Sequence, residues 1–201
     1  STDDSIKILK KYRNIDNRIK IINKKNGGLV SAIVEGVRHC EGDYLCFLDP
    51  DDYYGPNYLN NFMCEMTPDI DVVAMGFYND NHGIFDPFFL KENKTYDKEI
   101  NRLRETFLID KNVNGISNQI FISRWNKCYK THLVKQFIHL FEQYRNISLG
   151  EDTIFTYLIL RYAKKIKTLS VPNEYYYNIG NQSSMMKNSQ IQDHINMSNK
   201  A

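Results

Sequence analysis

The chain has 201 residues, 42% apolar and 25% charged, and 26 Lys and Arg against 24 Asp and Glu give a formal net charge of +2. These proportions argue against intrinsic disorder and supply none of the basic excess that nucleic-acid binding uses. No apolar run reaches the roughly 18–20 residues of a membrane-spanning helix, and the length suits one domain with a sizeable core. Ser1 to Asp4 does not read as a signal peptide. Cys40, Cys46, Cys64 and Cys128 form no CxxC pair, so a structural zinc site is not expected and a reducing cytoplasm is. His39, His82, His132, His139 and His194 show no metal-ligand or triad spacing.

Ser1 or Thr2 can cap a helix carrying Ile6, Ile8 and Leu9 to about Tyr12. Ile19 to Ile22 follows as a β-rich run, then Asn26-Gly27-Gly28 as a turn. Leu29, Val30, Ile33, Val34 and Val37 recur at helical spacing up to Cys40. Tyr44 to Leu48 is nearly all apolar and predicts a strand buried on both faces, as in a parallel sheet. Gly55-Pro56 opens a helix through Met66, and Val72 to Phe77 is the next strand. Residues 81–93 read as a loop, 98–108 as a charged helix, and further helices start near Thr131 and at Glu151. Strands near Ile166–Leu169 and Glu174–Tyr177 close the order, and the last twenty residues form a polar tail. Alternating helices and strands predict an α/β fold.

The acidic run Asp49-Pro50-Asp51-Asp52 leaves the apolar strand without a break. Ligands of open α/β sheets bind at the carboxyl ends of the strands. Clustered carboxylates raise one another's proton affinity unless a cation sits among them, and a hard divalent ion shared with substrate phosphates suits such a cluster. The same residues also make an ordinary solvated turn. EF-hand spacing fails at Tyr53 and Tyr54.

Asn26-Gly27-Gly28, followed by a helix and then Gly42-Asp43-Tyr44-Leu45-Cys46-Phe47-Leu48-Asp49-Pro50-Asp51-Asp52, resembles the signature of the inverting glycosyltransferases of family 2. Ser1 to Ser5 resembles the end of an earlier motif of that family. Trp125-Asn126-Lys127-Cys128-Tyr129 resembles its Trp-Asn-Lys-Leu-Tyr block, and Gly150-Glu151-Asp152 its Glu-Asp motif. The resemblance implies a GT-A fold: a Rossmann-like mixed, mostly parallel sheet flanked by helices, with its first strand or strands missing from this chain. Residues 1–80 would form a truncated donor-binding half, 81–180 the acceptor-side catalytic half of the same domain, and 181–201 a terminal loop or tail.

The resemblance further implies an inverting transfer of a sugar from a nucleotide-diphosphate donor, most simply a UDP-sugar, to a hydroxyl of a glycan or lipid-linked acceptor. The setting would be bacterial polysaccharide or glycolipid synthesis in the cytoplasm or at the inner face of the membrane. Asp51 and Asp49 would hold a divalent metal, Mg²⁺ or Mn²⁺, in an Asp-x-Asp motif, with Asp49 also near the nucleotide, and Asp52 would support the loop. Asn26 and Gly28 would contact the donor, and Asp152 would be the general base. Glu151 and Asp152 also suit a plain helix N-terminus. Trp125 reads as a core anchor or a sugar-stacking ring. Lys127 reads as a phosphate contact or a support for its loop. Ser183-Ser184 resembles a loop that closes over donor phosphates in some relatives.

Two departures keep other readings open. Where relatives carry Arg-Asn, this chain has Ile33-Val34, removing a cation able to grip a phosphate. The helix-first order predicts that roughly 30–40 residues of the native domain, about one βαβ unit, precede Ser1. A catalytically inactive binding module and a nucleotidyltransferase therefore stand as alternatives.

Overall fold

The computed structural model describes residues 3–90, 93–101, 123–147 and 150–180. In chain order they form α1 (Ser5–Ile15), α2 (Gly28–His39), β1 (Tyr44–Cys46), β2 (Tyr53–Tyr54), α3 (Tyr58–Met63), β3 (Val72–Asn81) and β4 (Ile84–Phe88). Next come β5 (Lys94–Tyr96), β6 (Lys127–Lys130), α4 (Thr131–Phe141), α5 (Glu151–Tyr162) and β7 (Ile166–Asn178). The expected helix over 98–108 falls largely outside the described residues, as do Ser183-Ser184 and the tail.

One sheet runs in the order β1-β6-β3-β7-β2, with β4 added to β3 and β5 to β7. It is mixed, but not mostly parallel: among the described strands only β3 and β7 pair in parallel. β1 is a half-buried edge strand antiparallel to β6, not the doubly covered strand its apolar run predicted. The pairings nevertheless point β1, β3 and β7 the same way, so their carboxyl ends share one rim.

Alternation along β3 feeds two cores. Val72 and Ala74 join a cluster with Val30, Val34 and Val37 of α2, Leu133, Val134 and Phe137 of α4, and Phe155 and Ile159 of α5. The spacing of those residues puts each set on a single helix face. Val73, Met75 and Phe77 face the other way, against Tyr58 and Phe62 of α3, Trp125 and Tyr175. Phe155 is fully buried, edge-on to Phe47, Phe137 and Phe141 at 5.2, 5.5 and 5.2 Å.

Three other expectations change. Residues 19–22 form no strand, because no described strand pairs with them and a strand's backbone groups need a ladder. Within the loop expected over 81–93, residues 81–88 instead close a hairpin. His82 and Gly83 adopt φ of 54° and 86°, the paired positive values of a tight two-residue turn, and Gly83 N–H donates to Asp80 Oδ1 at 2.7 Å. The two strands expected near the end are one, since β7 runs unbroken and pairs with β2, β3 and β5. α1 buries none of its residues, and no helix among the described residues is long and apolar enough to cross a membrane.

Candidate active site

Four segments meet at the rim where β1, β3 and β7 end. The acidic loop leaves β1, residues 123–126 lead into β6, β7 finishes at Asn178, and the start of α5 supplies Glu151 and Asp152. The join is Arg124, whose side chain is 4% exposed. Its Nη2 pairs with Asp49 Oδ1 and its Nη1 with Asp152 Oδ1, so one guanidinium holds carboxylates from two distant segments. The backbone N–H of Arg124 points to Asp152 Oδ2 at 3.4 Å, and its carbonyl accepts from Tyr129 Oη at 2.7 Å. Arg124 lies over the Phe47 ring at 5.9 Å, and its Nε–H has no partner among the described residues.

The acidic loop is fixed from its far side. Asp52 accepts from Tyr175 Oη at 2.5 Å and from the Asn178 N–H at 2.9 Å. Asp52 N–H closes the turn onto the Asp49 carbonyl at 3.1 Å. Tyr175 is fully buried, stacked on Trp125 with centroids 4.3 Å apart. Trp125 also lies parallel to Tyr177 at 5.4 Å and edge-on to Phe77 at 4.7 Å, and it is buried, as a core anchor is. Lys127 is buried as well: its ammonium donates to the Ser123 carbonyl and to Asn126 Oδ1, so it braces the segment holding Arg124.

Among the described residues charge at this rim is unbalanced: Asp49, Asp51, Asp52, Glu151 and Asp152 face two cations, Arg124 and Lys127. Burial pushes the Asp49 carboxyl up to about 6; Arg124 opposes that rise, while Asp152, Asp52 and Asp51 add to it. Burial also raises Asp52, against the hydrogen bonds from Tyr175 and Asn178, and it raises Glu151. Burial lowers the Lys127 amine to about 7, with Asp152 working in the opposite sense. Burial acts against the charge on Arg124, but Asp152 and Asp49 outweigh it and hold the guanidinium firmly protonated.

Among the described residues no three His, Cys, Asp or Glu side chains gather into a metal cage. The donor set does fit a hard cation shared with a diphosphate, since Asp51 is exposed, Asp49 is half-buried beside it, and the rim carries excess negative charge. Asn26 stands apart: its Oδ1 accepts from the Gly28 N–H at 3.0 Å, closing a turn that Gly28, at φ 82°, allows α2 to begin from. No hydrogen bond joins Asn26 or Gly28 to the acidic loop among the described residues. Ile33 and Val34 are buried core residues.

The residues reasoning from sequence missed are Arg124 and Tyr175. Arg124 immediately precedes the Trp125-Asn126-Lys127 block, its one mark in the sequence, since its carboxylate partners lie 75 and 28 positions away.

A mixed sheet flanked by helices, with carboxylates gathered at one rim, is the GT-A type of architecture. The model of Glycosyl transferase family 2 matches residues 1–130, and the chain belongs to that family. It is 25% identical to the putative glycosyltransferase EpsH of Bacillus subtilis across 88% of this chain and 49% of EpsH. It is 30% identical to the minor teichoic acid biosynthesis protein GgaB of the same organism across 82% of this chain and 17% of GgaB. The chain thus spans about half of EpsH and less of GgaB. Among solved structures, S. aureus TarS 1-349 superposes with a TM-score of 0.63 at 25% identity, covering 89% of this chain and 48% of that one. The same fragment in complex with UDP-GlcNAc superposes with a TM-score of 0.65 at 23% identity, over 94% of this chain and 49% of that one.

Proposed function

We propose that the chain is the donor-binding and catalytic part of an inverting, metal-dependent glycosyltransferase. Its donor would be a nucleotide-diphosphate sugar, most simply a UDP-sugar, and its acceptor a hydroxyl of a glycan or lipid-linked glycan in cell-surface polysaccharide synthesis. The enzyme would work on the cytoplasmic side of the membrane, where it could associate peripherally. One observation carries this reading: the acidic loop and the start of α5, far apart in sequence, are brought to one rim by Arg124. The relatives' roles and the UDP-GlcNAc complex of TarS support the choice of donor class.

In this reading Asp152 is the general base. Its Oδ1 is held by Arg124, which leaves Oδ2, with one long contact, to accept the proton of the acceptor hydroxyl. The new bond forms between the acceptor oxygen and the anomeric carbon. The bond from that carbon to the diphosphate oxygen breaks, and its electron pair leaves with the nucleoside diphosphate. Asp49 and Asp51 would hold a Mg²⁺ or Mn²⁺ ion, which supplies positive charge to the leaving diphosphate. Asp52, fixed by Tyr175 and Asn178, keeps the loop in place. Charge that is stabilised without reorganisation requires such a fixed loop. Asn26 and Gly28 would reach the donor from the start of α2.

The test is calorimetry of UDP with and without Mn²⁺, joined to a donor panel read by released nucleoside diphosphate. Asp51→Ala should lose metal-dependent UDP binding, whereas Asp152→Asn should keep that binding and lose transfer. UDP binding that ignores Mn²⁺, or Asp152→Asn transferring at the parental rate, contradicts the assignment. Burial of Ile33 and Val34 favours a second reading, a non-catalytic sugar-nucleotide binding module, because neither position then offers a guanidinium to the donor. That reading predicts metal-dependent binding without turnover of any donor.

A further inference from the structure

Arg124 has a geometry that the general-base reading alone does not require. A buried arginine could satisfy Asp152 with both terminal nitrogens, the planar bidentate arrangement that guanidinium and carboxylate favour. Here the fork is split, with Nη1 on Asp152 and Nη2 on Asp49, while Nε–H has no partner among the described residues. The arginine is anchored on the Asp152 side by more than the fork, since its own N–H points to Asp152 Oδ2 and its carbonyl is held by Tyr129. On the Asp49 side the Nη2 contact is the whole attachment among the described residues. Among the described residues five carboxylates and two cations share this rim, a balance that favours further positive charge there.

We infer that Arg124 is a positioning residue with one permanent and one exchangeable partner. It holds Asp152 throughout, and it serves as counterion to Asp49 only until the cation accompanying a nucleoside diphosphate takes that carboxylate. The inference rests on the glycosyltransferase reading and adds an order to it: donor-side charge arrives, Asp49 changes partner, and the guanidinium becomes wholly available to orient Asp152. A base whose orientation is set by a third group is a recurrent way of making proton transfer efficient. Arg124 touches neither donor nor acceptor in this scheme.

Arg124→Gln and Arg124→Lys test it, with thermal unfolding and circular dichroism confirming that each variant folds. Manganese-dependent UDP binding is measured by calorimetry, and turnover is read as UDP release from a panel of UDP-glucose, UDP-galactose and UDP-N-acetylglucosamine. A counterion that the metal displaces is a competitor, so Arg124→Gln should bind UDP with Mn²⁺ as tightly as the parent or more tightly. Turnover at saturating donor should fall about tenfold or more, with little change in KM. Arg124→Lys keeps the charge but cannot span two carboxylates, so it too should lose turnover and keep binding; this carries the test if the Gln variant does not fold.

Binding weakened about tenfold in folded variants would make Arg124 a plain support of the donor loop and overturn the inference. Parental turnover in Arg124→Lys overturns it as well, by showing that the fork is not needed. A parental protein that binds no UDP with Mn²⁺ overturns the glycosyltransferase reading itself. The two failures are therefore distinct.

Discussion

Tyr175→Phe removes one oxygen and leaves the ring, with its stacking on Trp125, in place. The lost hydroxyl donates to Asp52 at 2.5 Å and receives a long contact from the Asp49 N–H at 3.4 Å. A hydrogen bond to a charged group contributes about 1.5–3 kcal/mol. In a domain of this size each kcal/mol moves Tm by about 2–4 °C, so a drop of roughly 3–12 °C is expected. The bond stabilises the ionised form of Asp52, and its contribution is lost as pH falls and that carboxylate takes up its proton. Melting curves of parent and variant should therefore differ most at about pH 8 and converge towards about pH 4. A difference below about 0.5 kcal/mol at the higher pH, or one of equal size at both, would refute the role given to this hydroxyl.

Asp49 should leave a signature of opposite slope. With its carboxyl pushed up to about 6, the folded chain holds a proton that the unfolded chain releases at lower pH. Its contribution is full below about pH 4 and is lost as pH rises through about 6, at most roughly 3 kcal/mol, and Asp49→Asn should flatten that part of a stability–pH profile. For Lys127, with an amine lowered to about 7, the unfolded chain binds the extra proton between about pH 7 and 10. Stability should climb over that range, and Lys127→Met should remove the climb; a variant that keeps it shows the rise to have another source. Gly76→Ala places a Cβ 2.0 Å from the Phe88 carbonyl oxygen, so β4 must move away from β3. Loss of slow amide exchange over residues 84–88 is the readout, and unchanged protection would mean the strands are not packed as described.

Helix α2 was legible because its apolar residues repeat at the helical period around a single buried face, and α5 because an acidic first turn, Glu151-Asp152, opens a long apolar run. The acidic loop was legible for a different reason: its residues are contiguous, so charge crowding is visible without knowing the fold. Arg124 was not, since its partners Asp49 and Asp152 lie 75 and 28 positions away and only the folded rim brings them together. The hairpin over residues 72–88 escaped because its turn is His82-Gly83, and a histidine at positive φ is not the usual mark of a tight turn. Composition misled at residues 19–22, where β-forming side chains lack a neighbouring strand. It misled again at β1, where an apolar run signalled two covered faces but edge placement leaves it half-buried.

The strand order has a mechanical consequence. β1 and β2 stand at opposite ends of the path β1-β6-β3-β7-β2, yet only residues 47–52 separate them in the chain. Four spacings of about 4.8 Å would part them by roughly 19 Å if the sheet lay flat. Seven backbone steps reach about 24 Å when fully extended, and the turn closed by Asp52 N–H on the Asp49 carbonyl shortens that reach. The loop thus works as a drawstring along one rim, tying the two ends of the strand path together. Lengthening it by a few glycines would let the rim open and carry the acidic residues outward.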